Sequence, residues 1–449
     1  MEVHTEHHAP PPLTEKRPPL PAFDVEGDYT DEERVDRAFK AFISDFGMAA
    51  SIHMEACVHC GLCAQACHFY MTTGDPQYTP IHKLEPFKKA YQREVGPFAP
   101  VLRLLGLDAK PTIEELQEWE HLIYDSCTLC GRCTTICPMG IDIADLVKSA
   151  RHGMYDAGLV PARLSNICAN AEKKQSQFGY PEEFLDAANS ISKAFDVPVY
   201  IDKPRTDILV TTAPGELEAH HKSFADSAKI LNALGYDWSF YQDAFEATNF
   251  GYLSGNMEAQ RHLTMRLLDK AMEVGASTIL LPECGHAYGA LRWEGELWYG
   301  KKLPVTTLHM TEFLDREVAE GRLKVKEVGG SVTFHDPCQT IRRGGLVEAP
   351  RRLIAALGMD LIEMRDHGDF GLCCGGGGGV LANARAEPLR MKVFDEKRRQ
   401  IEATGAERFA TACGQCRITF ERACKAANWN HPPESLMEIV ADNMIIEGH

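Results

Sequence analysis

The chain has 449 residues, enough for two or three domains, and 44% of them are apolar, enough to build real cores. Its 47 basic residues against 64 acidic ones give a formal charge of −17, the wrong balance for a nucleic-acid binder. No run approaches the roughly 18 apolar residues of a membrane span, and 16 cysteines without a secretory leader point to a reducing, cytoplasmic setting in which thiols serve metals rather than disulfides.

The chain opens MEVHTEHHAPPPLTEKRPPLP, rich in proline, with neither an apolar h-region nor a small-residue cleavage site. Residues 1–35 are expected to form a flexible tail. His4, His7 and His8 are metal-capable, but they have no cysteine nearby and no helical register, so they read as solvated. From Asp31 the sequence DEERVDRAFKAFISDFG has acidic residues in its first turn and apolar residues at helical spacing. The segments PTIEELQEWEHLIYD and Ile143 to Tyr155 are helical by the same pattern, and residues 36–160 are expected to form one α-helical domain.

Two cysteine tetrads punctuate that domain: Cys57, Cys60, Cys63 and Cys67, then Cys127, Cys130, Cys133 and Cys137. Each reads C-x2-C-x2-C-x3-C, the spacing of a [4Fe–4S] ligand run. Structural zinc is the alternative, but it favours two C-x2-C pairs, and neither tetrad divides that way. In two-cluster ferredoxins the fourth cysteine of such a run ligates the other cluster. That precedent pairs Cys57, Cys60 and Cys63 with Cys137, and Cys127, Cys130 and Cys133 with Cys67. The second tetrad ends Cys137-Pro138, the usual form, whereas the first ends Cys67-His68. The seventy-residue offset between tetrads suits a helical ferredoxin domain rather than the small β-rich one.

Residues 161–206 read as a connector with some helix in PEEFLDAANSISKAF. Beyond it, DILVTT, WSFY, STILLP, SVTFHD, MDLIEM and RFATA read as short strands separated by helices, the pattern of a largely parallel α/β sheet. This region carries an internal repeat, 207–330 and 331–449. Aligning Gly215 with Cys338 brings Asn249-Phe250 within one residue of Cys373-Cys374, and Leu281 and Cys284 onto Cys413 and Cys416. The second copy holds five cysteines at these landmarks, and the first retains Cys284 alone.

Cys338, Cys373, Cys374, Cys413 and Cys416 stand at strand ends and loops, which in a parallel sheet converge on one crevice. Adjacent Cys373-Cys374 suits a cluster better than a single zinc. Gly375, Gly376 and Gly377 open a glycine run whose amides can approach a cofactor closely. No Lys-Ser or Lys-Thr follows the run, so it is not a phosphate-binding P-loop.

The pattern C-x34-C-C-G-x37-C-x2-C resembles the CCG domain of heterodisulfide reductase catalytic subunits, and the paired tetrads resemble the small electron-transfer subunit of the same enzymes. A chain with both resembles the fused form, and CVHCGLCAQACHFYMTTGDPQYTP is similar to the DsrK-type subunit of sulfur-metabolism membrane complexes. The resemblance covers about residues 45–425. It implies an α + α/β fold, an N-terminal α-helical ferredoxin domain followed by a CCG domain of two α/β pseudo-repeats with parallel sheets. It implies two [4Fe–4S] cubane clusters and one noncubane [4Fe–4S] cluster on Cys338, Cys373, Cys374, Cys413 and Cys416. The enzymes with two complete copies cleave a disulfide between two such clusters. This chain departs from them, because its first copy lacks the cysteines for a second one.

The implied function is an iron–sulfur oxidoreductase subunit acting on a thiol/disulfide couple, a small disulfide or a sulfur-carrier protein. The alternative is an electron-transfer module without its own substrate, linking a flavoprotein dehydrogenase or electron-transferring flavoprotein to a quinone-linked carrier. Expected partners are redox subunits, a flavoprotein or a quinone-linked membrane cytochrome, with the chain at the inner face of the membrane. Cys284 is either a reactive thiol in the shared crevice or a buried structural cysteine. Disulfide cleavage consumes protons, which His335, His367 or His286 can supply near neutral pH; each type is also common in packing. Arg342 and Arg343 offer charge for an anionic substrate group or simply a solvated helix start. Cys168 and Cys424 lack motif partners and read as ordinary buried residues.

Overall fold

The computed structural model describes residues 29–107, 110–174 and 176–445, with residues 45–51 as backbone alone. Of the expected tail, only residues 29–35 fall within it, and His4, His7 and His8 lie outside the described residues. The chain divides into two compact units. One comprises Met1–Ser165, Leu253–Asn256 and Gly377–Glu396; the other comprises Asn166–Tyr252, Met257–Gly376 and Lys397–His449. The architecture is α + α/β: helices carry both tetrads in the first unit, and two four-stranded parallel sheets build the second.

The first unit is organised by the helix Asp31–Ala56. Thr30 caps it in a capping box with Glu33, and Asp31, Glu32 and Glu33 oppose the dipole in the first turn. Val35, Ala38, Phe39 and Phe42 form its buried stripe. Phe42 packs edge-on to Phe87 at 4.5 Å and against Trp119 at 5.4 Å. Trp119 belongs to the helix Ile113–Tyr124, which begins with a second capping box, Thr112 with Glu115. The helix Ile143–Asp156 crosses the first helix so closely that a Cβ at Gly153 would lie 2.6 Å from the Ala38 carbonyl oxygen. Any side chain there must separate the two helices.

In the second unit, strands β1 (Ile208–Val210), β2 (Trp238–Ser239), β3 (Thr278–Leu281) and β4 (Thr306–His309) form one sheet in the order β2-β1-β3-β4. Strands β5 (Ser331–His335), β6 (Asp360–Leu361), β7 (Arg408–Thr411) and β8 (Glu434–Ser435) form the other in the order β6-β5-β7-β8. All pairings within both sheets are parallel, and the two orders are the same order. The internal repeat is therefore architectural. Strands β4 and β8 escape sequence reading.

One apolar core runs through both copies, including Val210 and Leu280 from the first and Val332, Phe334 and Ala410 from the second. The expected connector also belongs to it. Residues 162–174 are helical, and the helix Pro181–Phe195 buries Phe184, Ala188 and Ile191. Phe184 stacks on Phe245 at 4.1 Å and meets Phe224 and Phe240 edge-on. Residues from Asn166 onward are thus a folded part of the second unit, because this aromatic stripe has a core to fill. Among the described residues no helix is long and apolar enough to cross a membrane.

Candidate functional site

The two tetrad loops share one backbone path. His59 and Leu129, each just before the second cysteine, are left-handed (φ 52° and 55°), and so are Gly61 and Gly131, each just after it (φ 78° and 73°). Each glycine is the N-cap of a one-turn helix, Leu62–Ala66 or Arg132–Ile136. Such reversals turn successive amides and side chains toward one enclosed point, the shape of an anion-binding nest.

Two cavities result. One is lined by Cys57, Cys60, Cys63 and Cys137, the other by Cys127, Cys130, Cys133 and Cys67. The fourth cysteine of each tetrad thus lies at the cavity of the other. In the first cavity, burial and the neighbouring Cys57, Cys137 and Cys60 push the Cys63 thiol up to about 11. In the second, burial with Cys130, Cys127 and Cys67 pushes Cys133 well above its ordinary value. Four thiols gathered so closely resist ionisation until a cation joins them, which is the donor set an iron–sulfur cluster requires.

The second cavity has further groups that the cysteine spacing does not reveal. His68, standing where proline is usual, starts the helix His68–Thr73 and is 2% exposed, with its ring 4.3 Å from that of Phe69. Burial depresses its pKa. Lys83 is equally buried, and its Nζ approaches Cys67 Sγ at 3.6 Å.

The second unit holds the other cysteine set. Cys338 follows β5 and Cys413 follows β7, and these strands are neighbours at the point where the strand order reverses. Ligand crevices in open parallel sheets form at that point, outside the carboxyl ends of the strands. Cys338, Cys373, Cys374, Cys413 and Cys416 are all buried. Cys413 is the N-cap of the helix Gly414–Ala426, and Cys416 lies in its first turn.

The Cys416 thiol bridges Cys374 and Cys413, and these two contacts hold its own pKa well above the ordinary value. Hydrogen bonds from Cys373 and Cys416 hold Cys374 well below it. The contact with Cys416, helped by the amides of Gly285, Cys416 and Gln415, brings Cys413 down to about 7 against the opposing effect of burial. The glycine run contributes directly. Gly375 N–H donates to Cys373 Sγ at 3.5 Å, and Gly376 N–H stabilises the Cys374 thiolate. Gly377 belongs to the first unit.

His335, at the end of β5, also faces this set. His335, Cys374 and Cys416 present ligand atoms within 4.8 Å of one another. Neither ring nitrogen of His335 has a hydrogen-bond partner among the described residues, and burial drives its pKa well below the ordinary value. An orphaned imidazole beside the clustered thiols of Cys373, Cys374, Cys413 and Cys416 fits a bound metal group.

His367 has a different setting: it is exposed, and its Nδ1 pairs with the Met364 carbonyl at 2.8 Å. It is not part of the His335–Cys374–Cys416 group. His286 is buried beside Tyr252. Arg342 donates to the carbonyls of Asp369 and Gly371 and so braces the loop ahead of Cys373. The amide of Arg343 donates to the Cys338 carbonyl. Cys168 and Cys424 are buried, Cys424 with its thiol toward the His431 carbonyl.

Cys284 is the N-cap of the helix Gly285–Tyr288, as Cys413 is of its own helix. The structural match of Cys284 is therefore Cys413, not Cys416 as the sequence alignment has it; the strand ends Leu281 and Thr411 correspond, two residues from that alignment, and one extra residue follows β3. Burial, reinforced by the nearby Cys413, pushes the Cys284 thiol up to about 12. The two copies meet tightly here. Gly414 N–H donates to the Glu283 carbonyl at 2.7 Å, and a Cβ at Gly285 would lie 2.7 Å from Gln339 Cβ.

Comparison with known proteins agrees with this arrangement. Residues 53–141 match the 4Fe-4S dicluster domain, and residues 332–421 match the cysteine-rich CCG domain. The chain is 26% identical to the Hdr-like menaquinol oxidoreductase iron-sulfur subunit 2 of Archaeoglobus fulgidus, over 95% of this chain and 87% of the relative. It is 25% identical to a subunit of the dihydromethanophenazine:CoB–CoM heterodisulfide reductase of Methanosarcina mazei, over 88% of this chain and 95% of the relative. The chain is a heterodisulfide reductase-like iron–sulfur protein. A further relative, the EtfAB:quinone oxidoreductase of Syntrophomonas wolfei, is 25% identical over 86% of this chain and 57% of its own length. The heterodisulfide reductase-like chain is thus an oxidoreductase subunit with a dicluster and a CCG domain. Its cysteine motifs are visible in the sequence, whereas Lys83 and the burial of His68 carry no sequence signal because only the folded chain brings them to Cys67 and Cys130.

Proposed function

We propose that this subunit passes electrons through two [4Fe–4S] cubanes to or from a noncubane [4Fe–4S] site that acts on a thiol/disulfide couple. The cubane ligands in this reading are Cys57, Cys60, Cys63 and Cys137 for one, and Cys127, Cys130, Cys133 and Cys67 for the other. The noncubane ligands are Cys338, Cys373, Cys374, Cys413 and Cys416. Bound clusters of this kind supply reversible one-electron transfer.

The observation that carries the reading is the buried run of thiols from Cys374 through Cys416 to Cys413 at the carboxyl ends of the strands. Reduction of a disulfide there takes two electrons and two protons and yields two thiols. In this reading Cys284, beside Cys413 but outside the five, is the thiol that meets a substrate sulfur. His335 lines the same site and orients a ring nitrogen toward Cys374 and Cys416. The resemblance to DsrK-type subunits favours a small sulfur-carrier protein or heterodisulfide as substrate. Relatives named as subunits of a heterodisulfide reductase and of a menaquinol oxidoreductase support redox partner subunits, a flavoprotein or a quinone-linked membrane cytochrome, with peripheral attachment at the inner membrane face.

A second reading has its own support. The first copy keeps one of five cysteines, and one relative is named EtfAB:quinone oxidoreductase. In that reading the chain relays electrons from a flavoprotein to a quinone-linked carrier and transforms no substrate.

Iron analysis of anaerobically purified protein tests the inventory. Three four-iron clusters require about twelve iron atoms per chain, and Cys373→Ser is expected to retain about eight. About eight in the wild type contradicts the third site.

A further inference from the structure

The second cysteine cavity encloses a cation. Lys83 lies on the single turn His82–Leu84 and is 2% exposed. Its backbone is pinned, because Trp119 Nε1 donates to the Lys83 carbonyl at 2.5 Å and Trp119 is itself buried. From there the side chain reaches into the cavity lined by Cys127, Cys130, Cys133 and Cys67. Its Nζ lies 3.6 Å from Cys67 Sγ, donates to the Ser126 carbonyl, and sits 5.5 Å from the centre of the Phe69 ring.

Among the described residues no carboxylate forms an ion pair with Lys83. A cation held in a dry cavity is best offset by negative charge that faces it. Among the described residues, the groups able to provide that charge are the thiolates, together with whatever they hold. The charge of Lys83 favours the thiolate at Cys127 and at Cys133, and its Nζ stands beside Cys67.

The first cavity is built differently. The lysine lining it is Lys88, which is only partly buried and turns its Nζ to His59 Nε2 at 2.7 Å in an exposed contact. Water and salt screen a charge in that position, whereas they do not reach Lys83. The two sites, alike in backbone and ligand spacing, therefore differ in the buried charge that faces them, Lys83 at Cys67 together with Arg151 behind Cys127.

We propose that Lys83 is the charge-compensating residue of the second cluster site, where its ammonium favours the more negative, reduced state and raises the reduction potential of that cluster alone. The inference rests on the reading that Cys127, Cys130, Cys133 and Cys67 hold a [4Fe–4S] cluster. One-electron reduction adds one negative charge to the cavity, and a fixed cation in a dry site offsets it. Lys83 acts through this field; it is a positioning residue rather than a catalytic one.

The test is a reductive titration of the whole protein with dithionite and mediators, followed by electron paramagnetic resonance. The second signal is assigned as the one lost in Cys133→Ser. At the potential that reduces half of the second cluster in the wild type, Lys83→Met is expected to lower its reduced fraction roughly ten-fold, leaving the first cluster unchanged. Lys83→Arg, which keeps the charge, is expected to restore most of it, and Lys88→Met to change neither cluster by as much. Should Lys83→Met fail to load iron, Lys83→Gln carries the same test, since it removes the charge and keeps a donor for the Ser126 carbonyl. A second signal that is present but titrates alike in wild type and Lys83→Met, or a shift of both clusters together, overturns the role of Lys83. A wild type that loads iron yet shows no second cubane signal overturns the cluster reading beneath it.

Discussion

Arg151 and Gly378 stand 227 residues apart in the chain, yet the Arg151 guanidinium donates from Nη1 to the Gly378 carbonyl at 2.6 Å. The same fully buried side chain donates to the carbonyls of Ile123, Cys127 and Leu253 and lies over the Tyr124 ring. One arginine thus joins the second tetrad loop to the two distant segments that complete the first unit. Arg151→Met keeps the volume but strands four buried carbonyls. It is expected to cost roughly 3 kcal/mol or more, seen as a lower thermal midpoint and earlier proteolysis of residues 377–396. An unchanged midpoint counts against this bracing role.

The exchange of fourth cysteines gives a sharper prediction. Cys67 lines the cavity of Cys127, Cys130 and Cys133, so Cys67→Ser is expected to degrade the cluster of the second tetrad and spare that of its own. Cys137→Ser does the reverse. Mössbauer or paramagnetic resonance spectra of the two variants should lose different cubane signals. Loss of the first-tetrad signal in Cys67→Ser contradicts the exchange.

These sites were unequally legible in the sequence. The tetrad spacing implies the exchange through the precedent of two-cluster ferredoxins. Alternating strands and helices announce the parallel sheets, and the landmark cysteines reveal the repeat. What the sequence hides is set by tertiary packing. Cys284 aligns with Cys416 by residue counting but with Cys413 by its place at a helix N-terminus. The aromatic stripe around Phe184 reads as a connector helix until Phe245 and Phe224 are brought to it. Lys83 lies between the tetrads in a stretch without a motif, and only the turn at His82–Leu84 points it inward. His367, plausible by its place ahead of Cys373, is held outward by the Met364 carbonyl.

A buried acid sets a pH dependence of stability. Burial pushes the Glu246 carboxyl up to about 7, although Ser176 and the Gln177 amide donate to it. Below the unfolded value of 4.5 both states are protonated. Between 4.5 and 7 only the folded state keeps the proton, so rising pH favours unfolding. Stability from this group therefore falls by about 1.4 kcal/mol per pH unit over that window, on the order of 3 kcal/mol in all, and levels off above it. Glu246→Gln is expected to flatten this part of the profile. Thermal midpoints of wild type and variant from pH 4.5 to 8 provide the check, and parallel curves contradict it.

Close packing at the glycine run can be tested without touching a ligand. A Cβ at Gly376 would lie 2.1 Å from Thr419 Oγ1 on the helix that carries Cys416. Gly376→Ala is expected to push the loop from that helix, at a cost of about 1–3 kcal/mol, and to lower the iron content toward about eight per chain. Adding Thr419→Ala should recover part of it. Full iron in the single variant contradicts this close approach.

The central claim is that the buried cysteines of the second copy do chemistry on a thiol or disulfide rather than merely relay electrons. Electron paramagnetic resonance of the purified wild type, oxidised with and without a small thiol present, tests it most directly. Chemistry at this site gives a paramagnetic signal that depends on the thiol and disappears in Cys373→Ser while both cubane signals persist. A signal that is indifferent to the thiol, or that survives Cys373→Ser, contradicts the claim.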